Sequence, residues 1–302
     1  MSIELFFNGL EHGLVYGIMA LGVLITFRVL DFPDLTVDGS FTMGAGITAA
    51  LTVLGWHPLV AILVGIAGGM LAGIFTGLLS TKLDILNLLA GILTMTLLWS
   101  VNLRIMGQPN IPLLGQTTLL DMFDNLLAPV GLSKFSNLIF FALVTITIKF
   151  ALDVFFNTEV GLALRATGDN EQMVVAQGVN TDRMKIAGLA ISNSLVALSG
   201  ALVAQYSGFA DIGMGVGTII AGLASVIVGE SLIPTISFRW VTTGVLVGSI
   251  IYRMAIMLAL RYGYHLGFKA SDLKLITALI VIIALATPQV RSKLNIKLGN
   301  LT

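Results

Sequence analysis

The chain contains no cysteine, which excludes disulfides, reactive thiolates and thiolate-held metals and leaves the redox compartment unmarked. It has three histidines, His12, His57 and His265, at no spacing that builds a metal site, so none is expected. Charged residues make up 11% of the 302 positions, where a soluble domain carries roughly 25%. That is too little charge to coat a water-soluble globule of this size. Lys and Arg balance Asp and Glu at 16 each and no basic run occurs, so nucleic acid is not an expected partner. There is no glycine-rich phosphate loop ending in Gly-Lys, no His-rich metal motif and no Gly-x-Ser-x-Gly nucleophile elbow. The chain is therefore not expected to hydrolyse ATP, to bind a cofactor of its own or to be an enzyme. Residues 1–13 lack the positive region of a cleavable signal and carry Glu4 and Glu11, so they are read as the mature start.

What is present is hydrophobic: 56% of residues, with a mean hydropathy of +0.97. The apolar residues cluster into runs of about 17–25, long enough to cross a hydrocarbon layer of roughly 30 Å as helices. Runs such as residues 276–286 show none of the alternation a membrane β-barrel needs. The expected fold is an all-α polytopic membrane protein of about eight to ten transmembrane helices, some broken or short, plus one cytoplasmic helix, with lipid as its surroundings. The segments fall near residues 5–27, 41–54, 59–81, 85–106, 138–156, 186–207, 215–233, 240–260 and 273–286, in one domain spanning residues 1–302. The second is short and the seventh is rich in glycine, so each reads as a partial or broken span.

Lys and Arg near segment ends set orientation. Residues 289–302 hold Arg291, Lys293 and Lys297 without an acid, and the central interruption holds Arg165, Arg183 and Lys185. Both are expected in the cytoplasm, and an even number of segments separates them. Counting back places Lys82 inside, and residues 107–137 and the N-terminus outside. Glycines at residues 65–77 read as small-residue helix packing.

Five polar features interrupt the apolar pattern. Residues 28–40 carry Pro33 and Gly39 as helix breakers, with Asp31, Asp34 and Asp38 three or four residues apart. Either this is a solvated turn in which Asp34 or Asp38 caps the next helix, or it is an unwound stretch lining a translocation path. Residues 91–107 place Thr94, Thr96, Trp99, Asn102 and Arg104 in an apolar helix. Trp99 and Asn102 either share a cavity-facing side or, with Arg104, mark the membrane interface. Lys149 and Asp153 are spaced to pair. Arg253 lies deep in the eighth span without a local acid, and Glu230 is the partner considered.

The fifth feature, residues 156–185, reads as a soluble helix with ends. Asp169 or Asn170 caps it, with Gln172 three residues after Asp169; Glu171 suits its positive end and Gly178 supplies a left-handed stop. The resulting helix, about residues 171–177, is too short to stand alone and needs a partner. Met173, Val174, Ala176 and Gly178 offer an apolar surface rimmed by Arg165, Asp169, Glu171, Asp182 and Arg183.

Residues 161–202 resemble the cytoplasmic loop and following helix of permease subunits from the branched-chain amino-acid and ribose class of bacterial ABC importers. The resemblance is carried by Leu164, Arg165 and Ala166, by Asn170, by Ala176 to Gly178, by Lys185 and by Ser199, Gly200 and Ala201. Residues 222–232 are similar to that family's glycine-rich segment, with Glu230 and Ser231 as a departure. Residues 34–47 and 91–107 are similar to a subgroup with mostly unassigned substrates, some suspected of carrying aromatic amino acids. The resemblance implies that residues 157–185 form a coupling loop docking on a separate ATPase subunit, which uses ATP and Mg. It also implies a solute-binding protein outside, a second permease copy and a bacterial plasma (inner) membrane location. The substrate implied is a small polar solute, an amino acid first and a sugar or nucleoside second. The rivals are an ion-driven secondary transporter and a non-transport scaffold. Thr94 and Glu230 join Asp31, Asp34, Asp38, Trp99 and Asn102 as candidate path residues.

Overall fold

The computed structural model describes residues 3–233 and 237–265, with Leu275, Thr277, Ala278 and Ile282 beyond them. The expected segment 273–286 lies outside the described residues except at those four positions, and the tail 289–302 lies outside them altogether. Eleven helices are described: α1 Ile3–Val23, α2 Thr36–Val53, α3 Pro58–Lys82, α4 Asn87–Met106, α5 Leu119–Leu127, α6 Ser136–Phe155, α7 Glu159–Asp169, α8 Glu171–Ala176, α9 Thr181–Ser207, α10 Thr218–Leu232 and α11 Phe238–His265. Among the described residues, six helices are long and apolar enough to cross a membrane, and α10 is a shorter apolar helix. This is an all-α polytopic membrane protein.

The first span runs through α1 into a π-helical turn, Leu24–Val29, before the chain breaks at residues 30–35 around Pro33. Gly39 does not break the helix, contrary to expectation. It lies inside α2, where a Cβ would run into Leu98 of α4. The second apolar segment thereby gains five residues at its start and becomes the 18-residue α2, buried along most of its length.

Helix α2 packs against α3, α4 and α9 at the centre of the fold. Small residues make this possible. A Cβ on Gly44 would overlap the Ala197 backbone, one on Gly73 the Leu189 carbonyl, and one on Gly200 the Phe41 carbonyl. The expected glycine packing of residues 65–77 is therefore real, and α9 is the partner of Gly69, Gly73 and Gly77. Hydroxyls stitch α2, α3 and α4 together. Thr94 Oγ1 donates to Ala90 O at 2.9 Å, Thr76 Oγ1 to Thr94 at 2.9 Å, and the Thr36 and Thr76 hydroxyls lie 2.7 Å apart. Thr94 gives its one proton to Ala90 O, and Thr76 has both Thr94 Oγ1 and, at 3.2 Å, Ala72 O as acceptors.

Two further elements were not expected. Amphipathic α5 sits in the 107–137 loop behind a complete capping box of Thr118 and Asp121. Strands β1 Asn110–Pro112 and β2 Phe209–Asp211 pair antiparallel, Ile111 opposite Ala210. They tie that loop to the end of α9. Phe7 meets Phe135 with ring centroids 5.2 Å apart, so the start of α1 shares this face.

Candidate functional site: a capped coupling helix and buried carboxylates

At the opposite face, Asn170 ends α7 and begins α8, and its Oδ1 accepts the Met173 N–H at 3.0 Å. The cap is thus Asn170 rather than Asp169, and Gln172 has no part in it. Gly178 has φ +84°, the left-handed stop expected of it. Glu171 Oε1 accepts from Lys185 Nζ at 2.6 Å, which ties α8 to α9. That hydrogen bond is the main cause holding the Glu171 carboxyl below its ordinary value.

Only one side chain of α8 faces inward: Val174 is 2% exposed, while Met173 and Val175 are 51% and 54% exposed. Val174 is therefore an anchor to the chain's own fold, which corrects its expected place on the docking surface. Val175 is exposed in its stead. The split between the two was hidden because six residues are too few to fix a buried stripe from sequence. Ala176 and Gly178 are also exposed.

Helix α7 was missed, although Thr158 marks its start by accepting the Gly161 N–H at 3.3 Å. Gly168 of α7 approaches the backbone of Val29 so closely that no Cβ fits. Arg165 reaches the Phe238 ring, with its guanidinium carbon 5.3 Å from the centroid. Arg165, Asp169, Arg28 and Glu230 line one small cavity between α7, the first span, α10 and α11. Within it Arg28 Nε donates to Glu230 Oε1 at 2.8 Å. Nearby, Lys82 of α3 pairs with Asp182 of α9 at 2.9 Å. Arg28, Lys82, Arg165 and α8 therefore share one face, as the charge pattern required.

The partner considered for Arg253 is corrected by this arrangement. Glu230 pairs with Arg28, and Arg253 lies over the Tyr16 ring, 3.2 Å from its centroid. Lys149 and Asp153 do pair, at 2.6 Å, and Asp153 also accepts from Thr242 Oγ1 at 2.7 Å.

The three aspartates do not share a side. Asp31 is exposed, with φ +51°. Asp34 is wholly buried: Oδ1 accepts the Thr36 N–H at 2.9 Å at the start of α2, and Oδ2 accepts from Asn193 Nδ2 of α9 at 2.8 Å. Asp38 reaches α10. Its Oδ2 accepts the Gly217 N–H at 2.8 Å, and its Oδ1 accepts from Thr218 Oγ1 at 3.0 Å and the Ile219 N–H at 2.9 Å. Helix α10 has no side-chain cap of its own, since glycine precedes it, and Asp38 supplies the anion that its amino end needs. Asn193 went unnoticed, though a polar residue inside an apolar span was its signal.

On α4, Thr94 is buried in the hydroxyl chain and Asn102 donates to Gly39 O at 3.0 Å, whereas Trp99 is 47% exposed. Trp99 and Asn102 thus point to different surroundings despite lying one turn apart. Thr94, Asn102, Asp34 and Asp38 gather around α2, while Asp31, Trp99 and Glu230 lie away from that group.

Residues 5–286 match the family described as the branched-chain amino acid transport system, permease component. The chain belongs to that permease family. A tyrosine transport system permease protein of Clostridioides difficile is 45% identical over 289 residues, covering 96% of this chain and 92% of the relative. An uncharacterized protein of Rickettsia prowazekii is 34% identical over 292 residues, covering 94% and 98%. A ribose import permease protein of Escherichia coli is 24% identical over 255 residues, covering 83% and 76%. The ABC permease read from residues 161–202 is thus the family to which the whole chain belongs, and the permease's apolar helices make it a multi-pass membrane protein.

Proposed function

We propose that this permease is the transmembrane subunit of an ATP-driven importer that moves an amino acid into a bacterial cell. The observation that carries the reading is α8, a capped helix with Met173 and Val175 exposed and Val174 anchored beneath them. An exposed apolar helix face of this kind fits a groove in a partner protein. The partner is a separate ATPase subunit, which binds ATP and Mg; the permease contributes no catalytic group. A solute-binding protein delivers substrate at the opposite face, and a second permease copy completes the path. The face bearing α7 and α8 is cytoplasmic, and the N-terminus lies outside.

Force on α8 has two rigid routes into the membrane. The Lys185–Glu171 pair passes it to α9, a helix of 27 residues and thus roughly 40 Å long. The close approach of Gly168 to Val29 passes it from α7 to the end of the first span. ATP-driven closure of the two ATPases would rock these helices between outward and inward openings.

Similarity to the tyrosine permease supports an amino acid as cargo, with tyrosine the first to test. The weaker similarity to ribose permeases keeps a sugar as the second substrate class. An ion-driven carrier would need ionisable groups free to load and release within its spans. Here Asp153 and Glu230 are engaged with Lys149 and Arg28, which weighs against that reading. Reconstitution with the ATPase tests the proposal: uptake should require ATP, and Met173→Glu should abolish it at normal membrane levels.

A further inference from the structure

Where α6 ends and α11 begins, on the side of the permease that bears α7, lies a cavity of about 360 Å³. It is lined by Asn157, Arg165, Ser237, Phe238 and Arg239, and no acid is among them. The first turn of α11 carries no acid either. Arg28, Lys82, Lys149 and Lys185 each have a carboxylate partner, but among the described residues Arg165 and Arg239 have none. Through Arg165 the cavity adjoins the one in which Arg28 and Glu230 pair; Asp169 lies on that side without forming an ion pair to Arg165.

Two guanidiniums in one cavity repel each other, and neither can relieve the repulsion by losing its proton. An anion between them removes it. Arg165 stacks on the Phe238 ring, which engages the face of the guanidinium and leaves its in-plane N–H fork available. That fork matches the paired oxygens of a phosphate. The surface beyond the cavity says which phosphate. Leu143, Ile146, Phe150 and Val154 are exposed at spacings of three or four on one side of α6, and Asn157 of the cavity continues the same row. They form an apolar track of roughly 16 Å. Trp240, exposed in the first turn of α11, adds an aromatic of the kind that marks a membrane interface.

We propose that this cavity binds the phosphodiester headgroup of an anionic phospholipid, with Arg165 and Arg239 donating to its phosphate oxygens and its acyl chains lying along α6. A free phosphate would leave the apolar track unused. The lipid bridges α7, which leads into α8, and α11. Assigning it to the inner leaflet rests on the reading of the α7 face as cytoplasmic, where basic pockets between spans take up anionic headgroups.

The test uses Trp240 as reporter. Trp56→Phe and Trp99→Phe leave it as the sole tryptophan of the full-length permease, which is placed in phosphatidylcholine nanodiscs containing an equal small fraction of brominated phosphatidylglycerol or brominated phosphatidylcholine. Bromine on the acyl chains quenches an indole it touches. Quenching should report at least about a tenfold preference for phosphatidylglycerol, and Arg239→Gln and Arg165→Gln should each lower that preference about fivefold. Arg239 is exposed, so its variant should keep the wild-type melting temperature in phosphatidylcholine alone. Arg104→Gln, an exposed arginine on α4, should leave the preference intact and so exclude an effect of overall charge. Equal quenching by the two lipids, or a preference untouched by Arg239→Gln, overturns the site. Displacement of phosphatidylglycerol by millimolar inorganic phosphate, with sodium chloride of the same ionic strength as control, makes the cavity a free-phosphate site and overturns the lipid. Both leaflets of the nanodisc carry the brominated lipid and no transport is read, so failure here leaves the importer reading standing, and failure of ATP-dependent uptake leaves the lipid site standing.

Discussion

The carboxylate of Asp38 accepts the backbone N–H of Ile219 at 2.9 Å, so a residue on α2 caps a helix that begins 180 positions later at Thr218. Three donors converge on Asp38, and the α10 amino end has no other cap. The short, glycine-preceded α10 is thereby locked to α2, which is buried along most of its length.

Removing that cap should loosen α10. Asp38→Ala leaves the Gly217 and Ile219 N–H groups without their acceptor, at a cost of about 2–4 kcal/mol. Thermal unfolding in detergent should show a lowered midpoint, with a smaller loss for Asp38→Asn, which keeps one acceptor oxygen. A wild-type midpoint for Asp38→Ala would remove the cap from the account.

The central packing makes a second expectation. Gly200→Ala places a methyl against the Phe41 carbonyl, backbone that cannot rotate away, so α2 and α9 must separate. Overpacking of this kind costs about 1–3 kcal/mol. The same thermal assay checks it, and Gly73→Ala, which meets the Leu189 carbonyl, should behave alike.

The helices that sequence located well are those whose signals are local. Asn170 and Gly178 bracket α8 within a few residues of each other, and Lys149 and Asp153 sit one helical turn apart. Asp38 was unreadable for the opposite reason, since its partners lie on α10 and only the folded chain brings them together. Glu230 was considered for Arg253 because no acid lies near Arg253 in sequence, yet Arg28 at the end of the first span reaches it. Thr158 was a usable cap signal for α7, obscured by Gly161 and Gly168, which weaken helix propensity and serve close backbone packing. The split between buried Val174 and its exposed neighbours depends on how α8 sits against α9, a relationship of tertiary structure.

The Lys185–Glu171 pair should give α8 a pH dependence with a definite sign. The Glu171 carboxyl is held below its ordinary value of 4.5, chiefly by the Lys185 hydrogen bond. Its contribution is therefore fully present above that value and is lost as pH falls through the lowered one. Hydrogen exchange of the α8 amides should stay protected near neutrality and weaken only in acid. Glu171→Gln should lower protection at neutral pH and flatten the acid limb; an unchanged profile would show that the pair does not hold α8.

Val174 and Met173 should separate folding from coupling. Val174→Ala removes buried side-chain volume beneath α8, costing about 1–2 kcal/mol and loosening the helix on its own protein. Met173→Glu changes an exposed side chain and should leave the melting temperature unaltered.

The central claim is that α8 carries the force of a separate ATPase into this permease. It is tested most directly by uptake of labelled L-tyrosine into proteoliposomes containing the permease, its ATPase and its binding protein, comparing the wild type with Met173→Glu. The account predicts ATP-dependent uptake by the wild type and at least about a tenfold loss in the variant, with equal protein and equal melting temperature. Uptake by the permease alone on an ion gradient, or full transport by Met173→Glu, would contradict it.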